Sequence, residues 1–94
     1  MSIFELFLPA KIKFIDAAVK GDVEQVKSYL DKGINVNSKD GDGRTALMAA
    51  SLYNNLEIVK LLLDKGADAN LKSNLDKTAL MCAAYNGHVE IARL

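Results

Sequence analysis

One short segment carries the residue types of an ion-binding loop: residues 40–44 read DGDGR. Alternating carboxylates are typical calcium ligands, and glycines before a cationic residue are typical of phosphate-binding loops. A calcium loop starting at Asp40 would need an acidic residue at its twelfth position, where the chain has Ser51. A phosphate loop needs a lysine before its serine or threonine, whereas Arg44-Thr45 follows the glycines at the wrong spacing. The pattern therefore favours a turn over an ion-binding site.

The one cysteine and the one histidine of the chain, Cys82 and His88, are the residue types of a nucleophile–base pair. They are predicted on different helices, and no motif supplies a third group to orient the histidine. No cluster of ligands has the spacing of a zinc site. We therefore predict no catalytic residue, no metal site and no cofactor, with Cys82 as a small buried apolar residue. The alternative is an enzyme whose site no motif reveals, and it would require Cys82 to react much faster with a thiol reagent than a buried cysteine does.

The composition limits the class of protein. Ninety-four residues, of which 50% are apolar and 26% are charged, predict one globular domain. Twelve basic residues balance twelve acidic ones, so the charge gives no reason to expect binding to nucleic acid or to an anionic membrane. No apolar stretch approaches the ~20 residues of a membrane span, and the N-terminal segment lacks the basic start of a signal peptide. A single cysteine favours a reducing compartment, and we expect a cytoplasmic protein.

The elements that would carry these residues recur along the chain. Residues 45–50 read TALMAA and residues 78–83 read TALMCA, which is an offset of 33. The same offset relates LEIVKLLLDKG at 56–66 to VEQVKSYLDKG at 23–33 and, over its first six residues, to VEIARL at 89–94. One unit therefore occurs about three times in a fixed register.

A 33-residue period with this pattern resembles the ankyrin repeat. The stretch GRTALMAASLYNNLEIVKLLLDKGADAN, at 43–70, is similar to the consensus of that family. The resemblance implies an all-α fold, a solenoid of stacked helix-turn-helix units joined by β-turn or hairpin loops. We expect a first, capping-like repeat at 11–40, a complete second repeat at 41–73 and a partial third repeat at 74–94, after an apolar extension at 1–10.

Several matched positions have a local physical reason. Thr45 and Thr78 precede the first helices of their repeats, where a hydroxyl accepts from a free backbone N–H group. Gly21, Asn54 and Gly87 are equivalent positions just after those helices. Glycine and asparagine best tolerate the left-handed conformation that often ends a helix, so we expect that conformation at all three.

The first helices also carry residues that we expect in the core. Alanines would let neighbouring helices approach closely, and methionines would fill the space where the family usually has histidine. These residues are Ala49, Ala50, Ala83, Ala84, Met48 and Met81.

The two ends of the predicted stack differ. In the first repeat, Gln25 and Ser28 stand where the second repeat has Ile58 and Leu61, and a polar outer face is typical of a terminal repeat. The third repeat keeps the apolar pattern at 89–94, so its outer face is left bare. Either further repeats of a longer array or another molecule would cover that face.

The resemblance implies a non-catalytic scaffold that binds an unidentified protein through its loop tips and the exposed face of its first helices. The residues at the matching positions are Val19, Lys20, Gly41, Asp42, Arg44, Leu52, Tyr53, Asn74, Leu75, Lys77, Tyr85 and Asn86. Tyr53, Tyr85 and Arg44 are the expected anchors, because tyrosine and arginine are enriched among binding hot spots. The alternative for each is an ordinary solvated surface residue.

A second hypothesis is self-association into a homo-oligomer. The apolar residues 3–8, which begin with Ile3 and end with Leu8, and the bare C-terminal face would both be covered in such an assembly.

Overall fold

The computed structural model describes residues 8–85 and 87–94, and within those ranges it contains six helices and no β-strand. The helices are α1 (Ala10–Lys20), α2 (Val23–Asp31), α3 (Ala46–Leu52), α4 (Leu56–Asp64), α5 (Ala79–Tyr85) and α6 (Val89–Ala92). The predicted all-α class is confirmed. The longest of these helices has 11 residues, and none in the described ranges is long and apolar enough to cross a membrane.

The helices form three hairpins that stack in two layers. The first helices of the hairpins, α1, α3 and α5, pack against one another in chain order. The second helices α2, α4 and α6 form the other layer, and each packs against the first helix of its own hairpin. The stack is elongated, at 38 × 25 × 21 Å. This is the solenoid that the 33-residue period predicts.

The helix ends follow the expected local chemistry. Thr45 is the N-cap of α3, and its hydroxyl accepts a hydrogen bond from the Met48 amide at 3.3 Å. The Thr78 hydroxyl accepts in the same way from the Met81 amide. Gly21, Asn54 and Gly87 have φ angles of 75°, 59° and 69°. The left-handed conformation after each first helix is therefore confirmed, including at the asparagine.

The core is centred on α3, which lies between α1 and α5 and is buried along almost its whole length. The largest fully buried side chains of the core include Phe14 and Val26 from the first hairpin and Ile58 and Leu62 from α4. Small residues permit this packing, because Ala49, Ala50 and Ala83 are all buried as expected. The polar Gln25 and Ser28 of α2 are exposed.

Two expectations about the core are wrong. Ala84 and Met81 are exposed, although their equivalents in the second repeat, Ser51 and Met48, are buried. Among the described residues, α5 has a neighbouring first helix on one side only. The same sequence pattern is therefore buried in α3 and half uncovered in α5, since burial in a stack depends on having a neighbour on each side.

Candidate partner-binding surface

Residues 40–44, which we call turn A, are held together by the side chain of Asp40. Its Oδ1 accepts from the backbone amides of Asp42 and Arg44, both at 2.9 Å, and its Oδ2 accepts from Arg44 Nε at 3.1 Å. The Gly43 amide donates to the Asp40 carbonyl at 3.0 Å, which closes the turn. Both carboxylate oxygens of Asp40 thus bond within the turn, and no group of three or more metal-ligand side chains occurs in the described ranges. The geometry supports the interpretation of this segment as a turn.

Residues 73–77, which we call turn B, form the equivalent structure with different side chains. Ser73 Oγ accepts from the amides of Leu75 and Lys77, both at 3.3 Å, so a serine takes the place of Asp40. Asp76 has a φ of 58° where turn A has Gly43 at 75°. The two turns are also joined, since the Asn74 amide donates to the Asp42 carbonyl at 2.9 Å. Together they form one continuous edge of the molecule.

A groove of about 360 Å³ lies between this edge and the first helices, and we call it the turn–helix groove. Its lining residues are Arg44, Met48, Leu52, Ser73, Leu75, Lys77, Met81, Cys82 and Tyr85. Five of the twelve predicted contact residues are among them, namely Arg44, Leu52, Leu75, Lys77 and Tyr85. Leu75 is 80% exposed and Tyr85 is 83% exposed, although both are large and apolar or aromatic. Leu52 is half-buried rather than exposed, because it lies deeper in the groove wall.

Six of the other predicted contact residues do not line the groove. Gly41, Asp42 and Asn74 are exposed on the two turns, and Tyr53 is exposed at the end of α3. Val19 and Lys20 lie at the end of α1, where Val19 is half-buried and Lys20 forms an ion pair with Asp16 at 2.9 Å. Asn86 and the apolar residues 3–7 are outside the described residues.

The two cations of the groove differ in their surroundings. Arg44 forms ion pairs with Asp40 at 3.1 Å and with Asp42 at 3.3 Å. No carboxylate of the described residues forms an ion pair with Lys77. Arg44, which the sequence favours as an anchor, is therefore engaged by its own turn, and Lys77 is the more available cation.

Cys82 is half-buried in the groove wall. Burial raises the pKa of its thiol, and the positive charges of Lys77 and Arg44 offset part of that rise. A raised pKa leaves less thiolate at neutral pH, and the thiolate is the nucleophilic form. His88 does not pair with Cys82, since its Nε2 lies 2.9 Å from the Leu52 carbonyl oxygen. The arrangement gives no nucleophile–base pair.

The sequence assigned four groove residues to other roles or to none: Met48, Met81, Cys82 and Ser73. The signal that could have found the methionines is their spacing. Met48 precedes Leu52 by four positions, and Met81 precedes Tyr85 by four, so each pair shares one face of its helix. The face that carries a predicted contact residue also carries a methionine.

A second apolar surface lies between the second and third hairpins. A cavity of about 260 Å³ there is lined mainly by aliphatic side chains, which include Leu63, Leu80, Ile91 and Leu94. Leu80, Val89 and Leu94 are each more than half exposed. We call this surface the C-terminal face.

Comparison with known proteins agrees with this geometry. A family model for three copies of the ankyrin repeat matches residues 14–94. The chain is similar to integrin-linked protein kinase 1 of Arabidopsis thaliana, with 49% identity over 43 residues, which is 46% of this chain and 9% of that protein. It is also similar to the putative ankyrin repeat protein YahD of Escherichia coli K12, with 44% identity over 46 residues, 49% of this chain and 22% of that protein.

The chain thus spans less than a quarter of the length of either relative. Ankyrin repeats are generally protein–protein interaction modules, and the family is generally non-catalytic. Since the repeat model matches most of the sequence and the helices form the corresponding stack, the chain belongs to the ankyrin-repeat family.

Proposed function

We propose that this chain is a non-catalytic scaffold that binds a protein partner through turns A and B and the exposed face of its first helices. The observation that carries the proposal is the turn–helix groove, which collects five of the predicted contact residues in one concavity. Leu75 and Tyr85 are the most exposed large side chains in it. Tyrosine is enriched at binding hot spots, and the exposed leucine adds apolar surface of the kind that marks interaction sites. The repeat boundaries and the cytoplasmic location are part of the same proposal.

The order of importance within the site follows from the contacts. Tyr85 and Leu75 are the proposed central anchors, because both are largely exposed and line the groove, Tyr85 from α5 and Leu75 from turn B. Tyr53 is a peripheral contact, since it is exposed beside the groove. Arg44 has a smaller role, since a partner would compete with two carboxylates for its guanidinium.

The double variant Tyr53→Ala, Tyr85→Ala tests this surface. We expect its affinity for an identified protein partner to fall by at least about tenfold, because truncating a hot-spot tyrosine costs about 2 kcal/mol or more. The partner is to be isolated with the intact parent chain, and the affinity measured by titration calorimetry. Thermal unfolding should be nearly unchanged, because both tyrosines are exposed.

Lys60→Ala is the matched control, since Lys60 is exposed on α4, which contributes no residue to the groove. This variant should keep the affinity of the native chain. An unchanged affinity in the double tyrosine variant would mean that the partner binds elsewhere.

Self-association is the second candidate function, and the C-terminal face is the observation that favours it. The exposed Leu80 and Leu94 line an apolar cavity, and Val89 is exposed at the start of α6. Burying these side chains against a second copy would remove apolar surface from water. Light scattering across a concentration series measures this directly. A homo-oligomer that Leu80→Lys returns to monomer would support the idea, whereas a monomer at high concentration would remove it.

A further inference from the structure

We propose that the turn–helix groove takes an acidic peptide segment of the partner, in which a large apolar side chain is accompanied by an aspartate or a glutamate. The inference rests on the proposed function and specifies the chemistry of the partner. Three features of the groove carry it: an apolar wall, a cation without an internal counter-charge, and the absence of any carboxylate among the nine lining residues.

The apolar wall would receive the apolar side chain. Leu52, Leu75 and Tyr85 form it together with Met48 and Met81. Methionine is unbranched and polarisable, so it adapts to side chains of several shapes. A volume of about 360 Å³ is at the lower end of the range typical of ligand pockets, which suits a short peptide segment.

The cation follows from a comparison of the two turns. In turn A, Arg44 is neutralised by Asp40 and Asp42. At the positions 33 residues later, turn B has Ser73 and Leu75 in place of those two aspartates, while it keeps a cation at Lys77. The two replacements remove the counterparts of both carboxylates that pair with Arg44. The one carboxylate of turn B, Asp76 in place of Gly43, forms no ion pair with Lys77, and Leu75 and Lys77 both line the groove.

The field of these cations reaches the interior of the groove. Both Lys77 and Arg44 act to lower the pKa of Cys82, and no carboxylate of the described residues raises it. A carboxylate of the partner would therefore meet a positive potential there, whereas a lysine or arginine would be repelled. The equivalent region beside turn A carries Asp40 and Asp42, so an acidic segment would be directed toward turn B.

A selection from a random 12-residue peptide library displayed on phage, with the full chain as the target, tests the proposal. We expect the enriched peptides to combine leucine, phenylalanine or methionine with an aspartate or glutamate within a few positions. The same peptides, made with a fluorescent label, are then measured by anisotropy. Lys77→Glu should lower the affinity of the chain for these peptides by at least about tenfold, and raised salt should lower the affinity as well.

Two controls separate charge from folding. Lys60→Glu makes the same charge change on α4, outside the groove, and should leave the affinity within about twofold. A peptide whose acidic residue is replaced by lysine should bind Lys77→Glu better than it binds the native chain. Such a recovery would not occur if Lys77→Glu had only damaged the fold.

Enriched peptides without acidic residues, an affinity insensitive to Lys77→Glu, or no enrichment at all would overturn the inference. Its failure is distinguishable from that of the proposed function. If neutral peptides bind the native chain and their binding is lost in Leu75→Ala or Tyr85→Ala, the groove is a binding site and only the prediction of an acidic partner is wrong. If the peptides bind equally well to those two variants, the proposed binding surface fails as well.

Discussion

At the scale of single residues, turns A and B reach the same backbone shape with different side chains. Asp40 and Ser73 each supply an oxygen for two amides, which shows that either residue type can nucleate the turn. The two glycines of turn A are not equivalent to each other. Gly43 has a φ of 75° and faces Asn74, whereas a Cβ added to Gly41 would have no atom within 4 Å.

Gly43→Ala should therefore be far more costly than Gly41→Ala. A Cβ at position 43 would lie 2.5 Å from Asn74 Oδ1 and 3.0 Å from the Asn74 amide nitrogen, in a backbone conformation that alanine rarely adopts. We expect the free energy of unfolding to fall by about 1–3 kcal/mol for Gly43→Ala and by less than about 0.5 kcal/mol for Gly41→Ala. Urea denaturation of both variants measures the difference, and equal losses would contradict the model of the turn contact.

Cys82 provides a second prediction at this scale. Because burial raises its pKa, iodoacetamide at pH 7.5 should alkylate the folded chain more slowly than the urea-unfolded chain, and the rate should rise with pH. Lys77→Gln removes a charge that lowers this pKa, so the pKa should rise further and alkylation should slow again. Mass spectrometry of the modified chain gives the rates. Alkylation of the folded chain faster than that of the unfolded chain would instead indicate an activated thiolate.

At the scale of elements, the start of each later second helix is bonded to the previous repeat. Asn55 Nδ2 donates to the Ala18 carbonyl near the end of α1, and His88 Nε2 lies 2.9 Å from the Leu52 carbonyl oxygen at the end of α3. Asn55 and His88 are equivalent positions, 33 residues apart. The last carbonyls of a helix have no partner within it, so these side chains satisfy them. The His88 side chain makes no cap hydrogen bond at the start of its own helix α6.

The chain offers its own control for this contact. His88→Ala should lower the free energy of unfolding by about 0.5–1.5 kcal/mol, the usual net value of one hydrogen bond. His88→Asn introduces the residue type that makes the equivalent hydrogen bond at position 55, so this variant should retain most of the stability. Urea denaturation distinguishes the two variants. A loss in His88→Asn as large as that in His88→Ala would argue against the hydrogen bond as the cause.

At the scale of the whole molecule, the stack gives identical residues different environments. Leu47 and Leu80 are equivalent leucines in α3 and α5, yet Leu47 is 3% exposed and Leu80 is 58% exposed. Leu47 is enclosed because α3 lies between two first helices, whereas α5, which carries Leu80, has a neighbouring first helix on one side only among the described residues. Each repeat is stabilised by its own packing and by its interfaces with its neighbours, so position within the stack decides the contribution of a residue.

This pair gives a direct test of the stacking. Leu47→Ala should lower the free energy of unfolding by about 2–5 kcal/mol, because it leaves a cavity in the core. Leu80→Ala should change it by less than about 1 kcal/mol, because the side chain is already largely in water. Chemical denaturation of the two variants under identical conditions is the measurement. Similar losses would mean that the two helices have similar environments, contrary to the fold described here.

Most of the fold follows from short-range patterns that sequence contains. The family resemblance that the 33-residue period carries implies the hairpins. Within each hairpin, the threonine caps and left-handed positions predict where the first helix begins and ends. These features depend on residues a few positions apart, so local chemistry decides them. The composition of the proposed site could also be predicted in part, since Leu75, Lys77 and Tyr85 occupy positions that the family resemblance marks and line one groove in the structure.

What the sequence by itself determined is therefore the repeating unit, its turns and its order in the stack. Only the tertiary structure decided which copies are covered, since Met81 and Ala84 have the pattern of core residues and lie exposed. Only the folded structure showed the ion pairing of the site as well, because it joins Arg44 to two carboxylates and leaves Lys77 without an ion pair among the described residues. The physical reasons differ: burial depends on contacts between segments a full repeat apart, which a local pattern does not specify, whereas the ion pairs of Arg44 depend on the conformation of its own turn, which brings together side chains two and four positions apart.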